Sequence, residues 1–142
     1  LDAYDFINLM AYDETGPWSP TKVINHSSIE FAQQNLAYWS KRGVTKDKIV
    51  LGVPFYGYKF NNSGVSAFTW DQYLTQFPGS IEDDQVGKED TDLGIWFCNG
   101  RKTIKEKVLL GNNYGGVMIW ELGQDTYDQT SLMQVVVNNI KN

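Results

Sequence analysis

Three short segments of this chain are almost continuously apolar, and patterns of helical period lie between them. The segments are residues 6–12, 49–53 and 116–120. Runs of this length without polar alternation are typical of strands that are buried on both faces of a parallel sheet. Because these strands alternate with helical segments along the chain, the pattern predicts an α/β fold with a parallel sheet.

Four segments are predicted to be helical. Three of them begin at a hydroxyl residue that is followed three positions later by Glu or Gln, which is the pattern of a capping box. The pairs are Ser27 with Glu30, Thr69 with Gln72 and Thr103 with Glu106, and the predicted ends lie near Gly43, Phe77 and Gly111. A fourth helix is predicted over residues 130–140, where apolar residues recur at helical spacing.

Residues 58–100 show no sustained period, and we predict an irregular excursion between the second and third strands. Within it, residues 82–92 are mostly polar and acidic and are predicted to form a solvated loop. Three strands are few for a barrel, since a complete (β/α)8 barrel needs roughly 250 residues. A three-stranded sheet standing alone would leave two unpaired edges.

The charge and composition narrow the classes of partner. The chain carries 12 Lys and Arg residues against 17 Asp and Glu residues, for a net charge of −5. This balance argues against nucleic acid or an anionic membrane surface, because both require a basic face. No apolar run approaches the roughly 20 residues of a membrane span. A single cysteine, Cys98, excludes an internal disulfide framework, and no zinc, calcium or phosphate-loop pattern is present, so we expect no metal or organic cofactor.

Residues with polar or aromatic side chains follow the predicted strands at the point where each strand ends. These segments are Tyr12-Asp13-Glu14, Phe55-Tyr56-Gly57-Tyr58 and Trp120-Glu121. The carboxyl ends of parallel strands meet at one edge of a sheet, where ligands gather. Aromatic faces suit the C–H faces of a sugar, and phenols and carboxylates suit its hydroxyl and acetamido groups. Ordinary packing at the rim of the sheet is the alternative interpretation.

The same segments resemble three strands of glycoside hydrolase family 18, the chitinases and their relatives. Residues 5–13, with the sequence Met10-Ala11-Tyr12-Asp13, are similar to the sixth barrel strand of that family and its Met-x-Tyr-Asp signature. Residues 51–57 are similar to the seventh strand, and residues 114–121 to the eighth. The three motifs occur in the order of the family. The resemblance implies a partial (β/α)8 barrel that comprises about the last three βα units.

The resemblance also implies a role for particular residues. The family uses substrate-assisted catalysis, in which the 2-acetamido oxygen of the sugar attacks the anomeric carbon. By this resemblance, Tyr12 holds the acetamido group and Asp13 stabilises that region. Met10 lines the pocket, Trp120 stacks beneath the sugar ring and Tyr56 shapes the neighbouring wall.

The chain departs from the family in two ways. The catalytic acid of the family lies in an Asp-x-x-Asp-x-Asp-x-Glu run after the fourth strand, and these 142 residues contain no such run. Lys59 and its neighbour Tyr58 stand where the family often has Arg, so a substrate contact there is not expected. We therefore interpret residues 1–142 as the C-terminal portion of one catalytic domain and expect the isolated chain to be inactive.

Four further residues carry weaker expectations. Trp18, in the loop after the first strand, is a better candidate than Trp70 for extending a sugar platform. His26 is a lone histidine just before a helix and is predicted to be a surface residue near the helix cap. Glu121 is predicted to point away from Trp120 and to be structural.

Several functions stay open at this stage. The leading hypothesis is a piece of a secreted or envelope-associated glycosidase acting on β-1,4-linked N-acetylglucosamine. A non-catalytic sugar-binding lectin and an endo-β-N-acetylglucosaminidase share the scaffold. An interaction module that associates through exposed strand edges is the remaining alternative, and we expect the isolated chain to self-associate or to pair with a missing N-terminal half of a barrel.

Overall fold

Strands and helices alternate along the first and last parts of the chain, and short antiparallel strands lie between them. The computed structural model describes residues 3–89 and 91–141. The elements in those residues are β1 (Ile7–Leu9), α1 (Ile29–Lys41), β2 (Ile49–Pro54), β3 (Tyr56–Asn61), β4 (Gly64–Thr69), α2 (Trp70–Gln76), β5 (Gln85–Gly87), β6 (Ile95–Phe97), α3 (Arg101–Gly111), β7 (Val117–Trp120) and α4 (Leu132–Asn139), with single 3-10 turns at Lys46–Lys48 and Leu122–Gln124.

The predicted parallel sheet is confirmed. Its strand order is β1-β2-β7, and both pairings are parallel. Helix α1 connects β1 to β2, and Ala32 and Leu36 of this helix pack with Leu9 and Leu51 of the two strands. Because β2 lies in the middle and is paired on both sides, it is the most deeply buried of the three strands.

The first strand is shorter and more exposed than predicted. Only residues 7–9 form the strand, and Leu9 is the one residue of the three that is buried. Phe6 and Met10 are more than half exposed. The prediction of burial on both faces was wrong because β1 is an edge strand, covered by α1 on one face while its flanking residues Phe6 and Met10 remain open to solvent.

The prediction that residues 58–100 are irregular was also wrong. They form most of a second, antiparallel sheet with the order β4-β3-β6-β5, together with α2. Strand β5 falls within the acidic segment 82–92 that was predicted to be a loop; Asp90 of that segment lies outside the described residues. The local pattern gave no sign of β5 and β6 because these strands are three residues long, and β6 pairs with β3, which lies nearly 40 residues earlier. The hairpin of β3 and β4 was missed as well, although its strands are six residues long and adjacent in the sequence.

Close backbone approach holds this second sheet together at one point. A Cβ atom placed on Gly57 would lie 2.0 Å from the carbonyl oxygen of Phe97. Only glycine fits there without separating β3 from β6. Gly57 therefore allows β3 to approach β6 closely at the point where the second sheet begins, immediately after β2.

Two helix starts were predicted at the wrong residue, and one was predicted correctly. The cap of α1 is Ser28, whose hydroxyl accepts from the Phe31 N–H at 3.0 Å, whereas the Ser27 side chain contacts other groups. The capping box of α2 at Thr69 and Gln72 is confirmed.

Helix α3 begins at Arg101 after Gly100, so the predicted start at Thr103 was wrong. The Thr103 hydroxyl instead donates to the carboxylate of Asp84 at 2.6 Å.

The larger apolar core lies between β2, the second sheet and the last helices. Trp70 is fully buried there, as are Ile104 and Val108 of α3 and Leu132 of α4. Cys98 is buried in the same cluster. Among the described residues, no helix has the length and apolar character needed to cross a bilayer.

Candidate functional site

Asp13 lies at the centre of a group of polar and aromatic side chains just after β1. Its carboxylate accepts hydrogen bonds from the hydroxyl of Tyr56 at 2.5 Å and from the hydroxyl of Tyr58 at 3.0 Å. Both tyrosines belong to β3, and their spacing of two places them on the same side of that strand. The structure thus brings the Tyr-Asp segment after β1 against the Phe-Tyr-Gly segment after β2.

His26 lies directly behind this carboxylate and is fully buried, so the prediction of a surface residue was wrong. Its Nδ1 accepts a hydrogen bond from the backbone N–H of Asp13 at 3.2 Å, and its Nε2 lies 3.2 Å from the carbonyl oxygen of Tyr56. Both bonds form only when the single ring proton is on Nε2. The 3.5 Å contact between Nδ1 and Asp13 Oδ1 is therefore not an ion pair.

No local sequence signal identifies this histidine. Its two partners, Asp13 and Tyr56, lie 13 and 30 residues away along the chain. The role of Tyr58 was also missed, but a signal existed for it. Tyr58 follows Tyr56 by two positions, so any strand through this segment places both hydroxyls on one face.

Tyr12 presents a buried hydroxyl with no hydrogen-bond partner among the described residues. Its ring packs edge-on against Tyr56, with ring centroids 6.0 Å apart. Gly52 leaves the room for this ring, because a Cβ atom there would lie 2.9 Å from it. Leaving a buried hydroxyl unpaired costs about 1–3 kcal/mol, so this atom marks a place where a polar partner fits.

The site holds one negative charge among protonated phenols. Burial acts to raise the pKa of Asp13, but the adjacent His26 ring and the hydrogen bonds from Tyr56 and Tyr58 outweigh it, and the pKa lies below its usual range. Burial, together with the charge of Asp13, raises the pKa of all three tyrosines, Tyr12, Tyr56 and Tyr58. At neutral pH the carboxylate is therefore ionised and the hydroxyls are donors. Such a carboxylate stabilises a positive charge that develops beside it.

Exposed aromatic surface lies next to this group. Trp18 is 60% exposed, and its indole packs edge-on against Tyr58 with centroids 5.8 Å apart. Its ring also covers Gly16, where a Cβ atom would lie 2.5 Å from the indole. Trp70, the weaker of the two tryptophan candidates, is buried in the core.

The remaining predicted site residues flank β2. Trp120 is 52% exposed, and its carbonyl accepts from the N–H of Phe55 at 2.8 Å, which places it beside the residue that precedes Tyr56. Met10 is 66% exposed and precedes Tyr12 by two positions. Glu121 is exposed. Met10 and Trp120 thus offer open apolar surface near the ends of the two strands that pair with β2.

A buried lysine of α3, Lys107, is linked by hydrogen bonds to the segment that contains Tyr12. The ammonium group of Lys107 donates to the carbonyl and hydroxyl oxygens of Ser27 and to Asn99 Oδ1, each at 2.6 Å. The Ser27 hydroxyl in turn donates to the carbonyl of Ala11 at 2.6 Å. Burial lowers the pKa of Lys107 to about 7, against the opposing effect of Asp84. The network ties α3 through Ser27 to Ala11, the residue before Tyr12.

Sequence reasoning missed Lys107, although a signal was present. Lys107 falls on the same helical face as Thr103, Ile104 and Val108, all of which are buried.

Regarding metals, no three His, Cys, Asp or Glu side chains are placed to share an ion within residues 3–89 and 91–141.

Comparisons with known proteins agree with the fold and the motifs. The sequence model of "Glycosyl hydrolases family 18" matches residues 1–125. "Putative chitinase 1" of Margaritifera margaritifera is 28% identical over 157 residues, covering 87% of this chain and 33% of that protein. "Endochitinase 1" of Metarhizium robertsii is 28% identical over 167 residues, covering 96% of this chain and 39% of that protein.

Solved structures give the same result. A family 18 chitinase from the chitin utilization locus of Flavobacterium johnsoniae is 43% identical with a TM-score of 0.89, and the match covers 97% of this chain and 43% of that one. A chitinase from Bacteroides thetaiotaomicron is 32% identical with a TM-score of 0.85, covering 98% of this chain and 46% of that one. The chain thus spans less than half the length of each of these four proteins. With the family match extending over most of its residues, the chain belongs to glycosyl hydrolases family 18.

Proposed function

We propose that this chain is part of a chitinase-like glycosidase that hydrolyses β-1,4-linked N-acetylglucosamine polymers by substrate-assisted, retaining catalysis. The observation that carries the proposal is the buried, unpartnered hydroxyl of Tyr12 beside the ionised carboxylate of Asp13. An acetamido group supplies the missing partner for the hydroxyl. The cation that forms from that group is stabilised by the carboxylate.

In the proposed reaction the acetamido oxygen of the bound sugar attacks the anomeric carbon, and the bond from that carbon to the leaving oxygen breaks. A glutamic acid from outside this chain transfers its proton to the leaving oxygen. Tyr12 donates to the acetamido oxygen and holds it in the attacking position. Asp13 stabilises the resulting oxazolinium ion. Water then opens the ion, and the glutamate takes the proton of that water, so the configuration at the anomeric carbon is retained.

The aromatic residues bind the sugar in this proposal. Trp120 stacks beneath the ring, and Met10 lines the pocket beside it. Tyr56 forms the neighbouring wall and keeps Asp13 in place. Trp18 extends the platform, since its indole is open to solvent while its edge is fixed against Tyr58. No group in this set requires a metal or an organic cofactor for its role.

We further propose that the three parallel strands are strands six to eight of a (β/α)8 barrel and that residues 1–142 are the C-terminal portion of a single catalytic domain. The second sheet is then an insertion between strands seven and eight. The missing strands include the one that would supply the proton donor. We also propose a secreted or cell-envelope location for the whole protein, where such a polymer is met. Self-association, or pairing with the missing N-terminal half, would satisfy the free edges of β1 and β7.

The test is a turnover assay on a chromogenic N-acetylglucosamine oligomer. We expect the 142-residue chain to show no turnover above background, because losing a well-placed general acid removes about 10²–10⁴ in rate. A longer form that includes the fourth strand should be active, and its Asp13→Asn variant should be much slower. Robust activity from the 142-residue chain would contradict the proposal.

One observation favours a non-catalytic lectin as the second candidate. Asp13 is already ionised near neutral pH because its pKa is lowered, and the raised pKa values of Tyr56 and Tyr58 make them weak acids, so none of these groups can replace a carboxylic acid as proton donor. A scaffold without the acid would bind without cutting. The residue at the end of the fourth strand separates the two: Glu there supports a hydrolase, and another residue supports a lectin. A glycan array on the whole protein distinguishes chitin oligomers from N-glycans, the substrate expected of an endo-β-N-acetylglucosaminidase.

A further inference from the structure

His26 connects two parts of the site, at Asp13 and Tyr56, that are far apart in the sequence. Its ring accepts from the backbone N–H of Asp13 and contacts the backbone carbonyl of Tyr56. Its own carbonyl accepts from the N–H of Glu14 at 3.0 Å. One buried residue therefore makes hydrogen bonds to the backbones of two consecutive residues after β1 and to the first residue of β3.

Asp13 needs such an anchor because of its backbone conformation. Its φ is 65°, in the left-handed region that residues other than glycine seldom adopt. Such a conformation persists only when the surrounding structure imposes it. The hydrogen bonds to His26 and its carbonyl impose it here, and the resulting turn points the carboxylate at the hydroxyls of Tyr56 and Tyr58.

The ring of His26 also lies against both tyrosine rings. The centroid of the imidazole is 4.9 Å from that of Tyr56 and 4.9 Å from that of Tyr58. These contacts fix the ring in the plane that its two hydrogen bonds require. A loss of the imidazole would therefore release both phenols as well as the Asp13 turn.

We propose that His26 is a positioning residue, whose neutral ring with its proton on Nε2 holds the Asp13 carboxylate against its two tyrosine donors. This rests on the proposed function only for the catalytic use of that carboxylate. The charged and titratable groups around the ring are consistent with a neutral form: burial and the cation of Lys107 lower the pKa of His26, while Asp13 and the Tyr56 carbonyl oppose them less strongly.

The first test uses the unaltered chain without any sugar. Nitrogen-15 NMR of the His26 ring reports which ring nitrogen carries the proton. We expect protonated Nε2 and unprotonated Nδ1 throughout pH 6–8. A proton on Nδ1 anywhere in that range would overturn the proposal, because Nδ1 could then not accept from Asp13.

The second test follows the Asp13 carboxyl by carbon-13 NMR during an acid titration. In His26→Leu both ring hydrogen bonds are lost, and we expect the pKa of Asp13 to rise towards that of a free aspartate. His26→Gln keeps an acceptor and a donor on one side chain and should restore most of the low value. Val108→Ala, a core variant away from the site, is the matched control for destabilisation and should leave the Asp13 titration unchanged.

An unchanged Asp13 titration in folded His26→Leu, or an equal change in Val108→Ala, would overturn positioning. If His26→Leu does not fold, the ring-nitrogen measurement and His26→Gln still decide the question. These readouts involve no sugar. Failure of the chain or its longer form to act on N-acetylglucosamine oligomers therefore counts against the proposed function alone.

Discussion

Replacing Tyr12 by Phe should change the stability of the free chain and its affinity for sugar in opposite directions. The hydroxyl of Tyr12 is buried and has no partner among the described residues. An unpaired buried hydroxyl costs about 1–3 kcal/mol, so its removal should make the sugar-free chain more stable by up to that amount. The ring remains and keeps its packing against Tyr56.

The same substitution should weaken binding of an N-acetylglucosamine oligomer. A hydrogen bond between neutral groups contributes about 0.5–1.5 kcal/mol, which corresponds to a loss of affinity of roughly 2–13-fold. The measurements are urea unfolding of the free chain and calorimetric titration with triacetylchitotriose. Cellotriose, which lacks acetamido groups, should be affected little by the change.

Tyr56→Phe is the matched control. The Tyr56 hydroxyl donates to the charged Asp13, so its removal should destabilise the free chain. An unpartnered Tyr12 hydroxyl predicts that the two Tyr→Phe changes shift the free energy of unfolding of the free chain in opposite directions. A Tyr12→Phe variant that is clearly less stable than the parent, with unchanged sugar affinity, would refute the reasoning.

Three further predictions concern the platform, the buried cation and the second sheet. Trp120→Ala should cost little stability because the indole is half exposed, but it should weaken sugar binding by about 5–10-fold. Trp70→Ala, in the buried core, should instead lower the free energy of unfolding in urea by about 3–5 kcal/mol. The pKa of Lys107 is lowered to about 7 in the fold, so between pH 7 and about 10 the unfolded chain holds a proton that the folded chain has lost. The free energy of unfolding of the parent should therefore rise by about 1.4 kcal/mol per pH unit over that range, relative to that of Lys107→Met. Parallel curves of stability against pH for the two proteins would contradict this. Gly57→Ala places a Cβ 2.0 Å from the Phe97 carbonyl oxygen and should destabilise the chain by about 1–3 kcal/mol or more, with loss of amide-exchange protection in β3 and β6.

The parallel sheet could be predicted from sequence because its signal is local. Residues 49–53 are a continuous apolar run that forms the central strand β2, and the capping box at Thr69 specifies the start of α2 from four residues alone. The motifs at the strand ends also carried information, because Asp13 and Tyr56 follow strands that pair in parallel.

Apart from the local β3-β4 hairpin, what was not predicted depends on pairings between distant residues. The antiparallel second sheet needs β3 to meet β6, and strands of three residues leave no periodic trace. His26 looks like a cap residue in the sequence, and only the folded chain places its ring between Asp13 and Tyr56. Lys107 is the intermediate case, since its position on a buried helical face is visible in the sequence although its partners are not.

The central claim is that the groups around Tyr12 and Asp13 recognise the acetamido group of a sugar. Its most direct test is a chemical-shift titration of the labelled chain with triacetylchitotriose, with cellotriose as the matched ligand. We predict saturable changes at Tyr12, the Asp13 carboxyl and the indole N–H groups of Trp18 and Trp120, and much smaller changes at the first two with cellotriose. Equal responses to both sugars at Tyr12 and Asp13, or changes confined to residues away from them, would contradict the account.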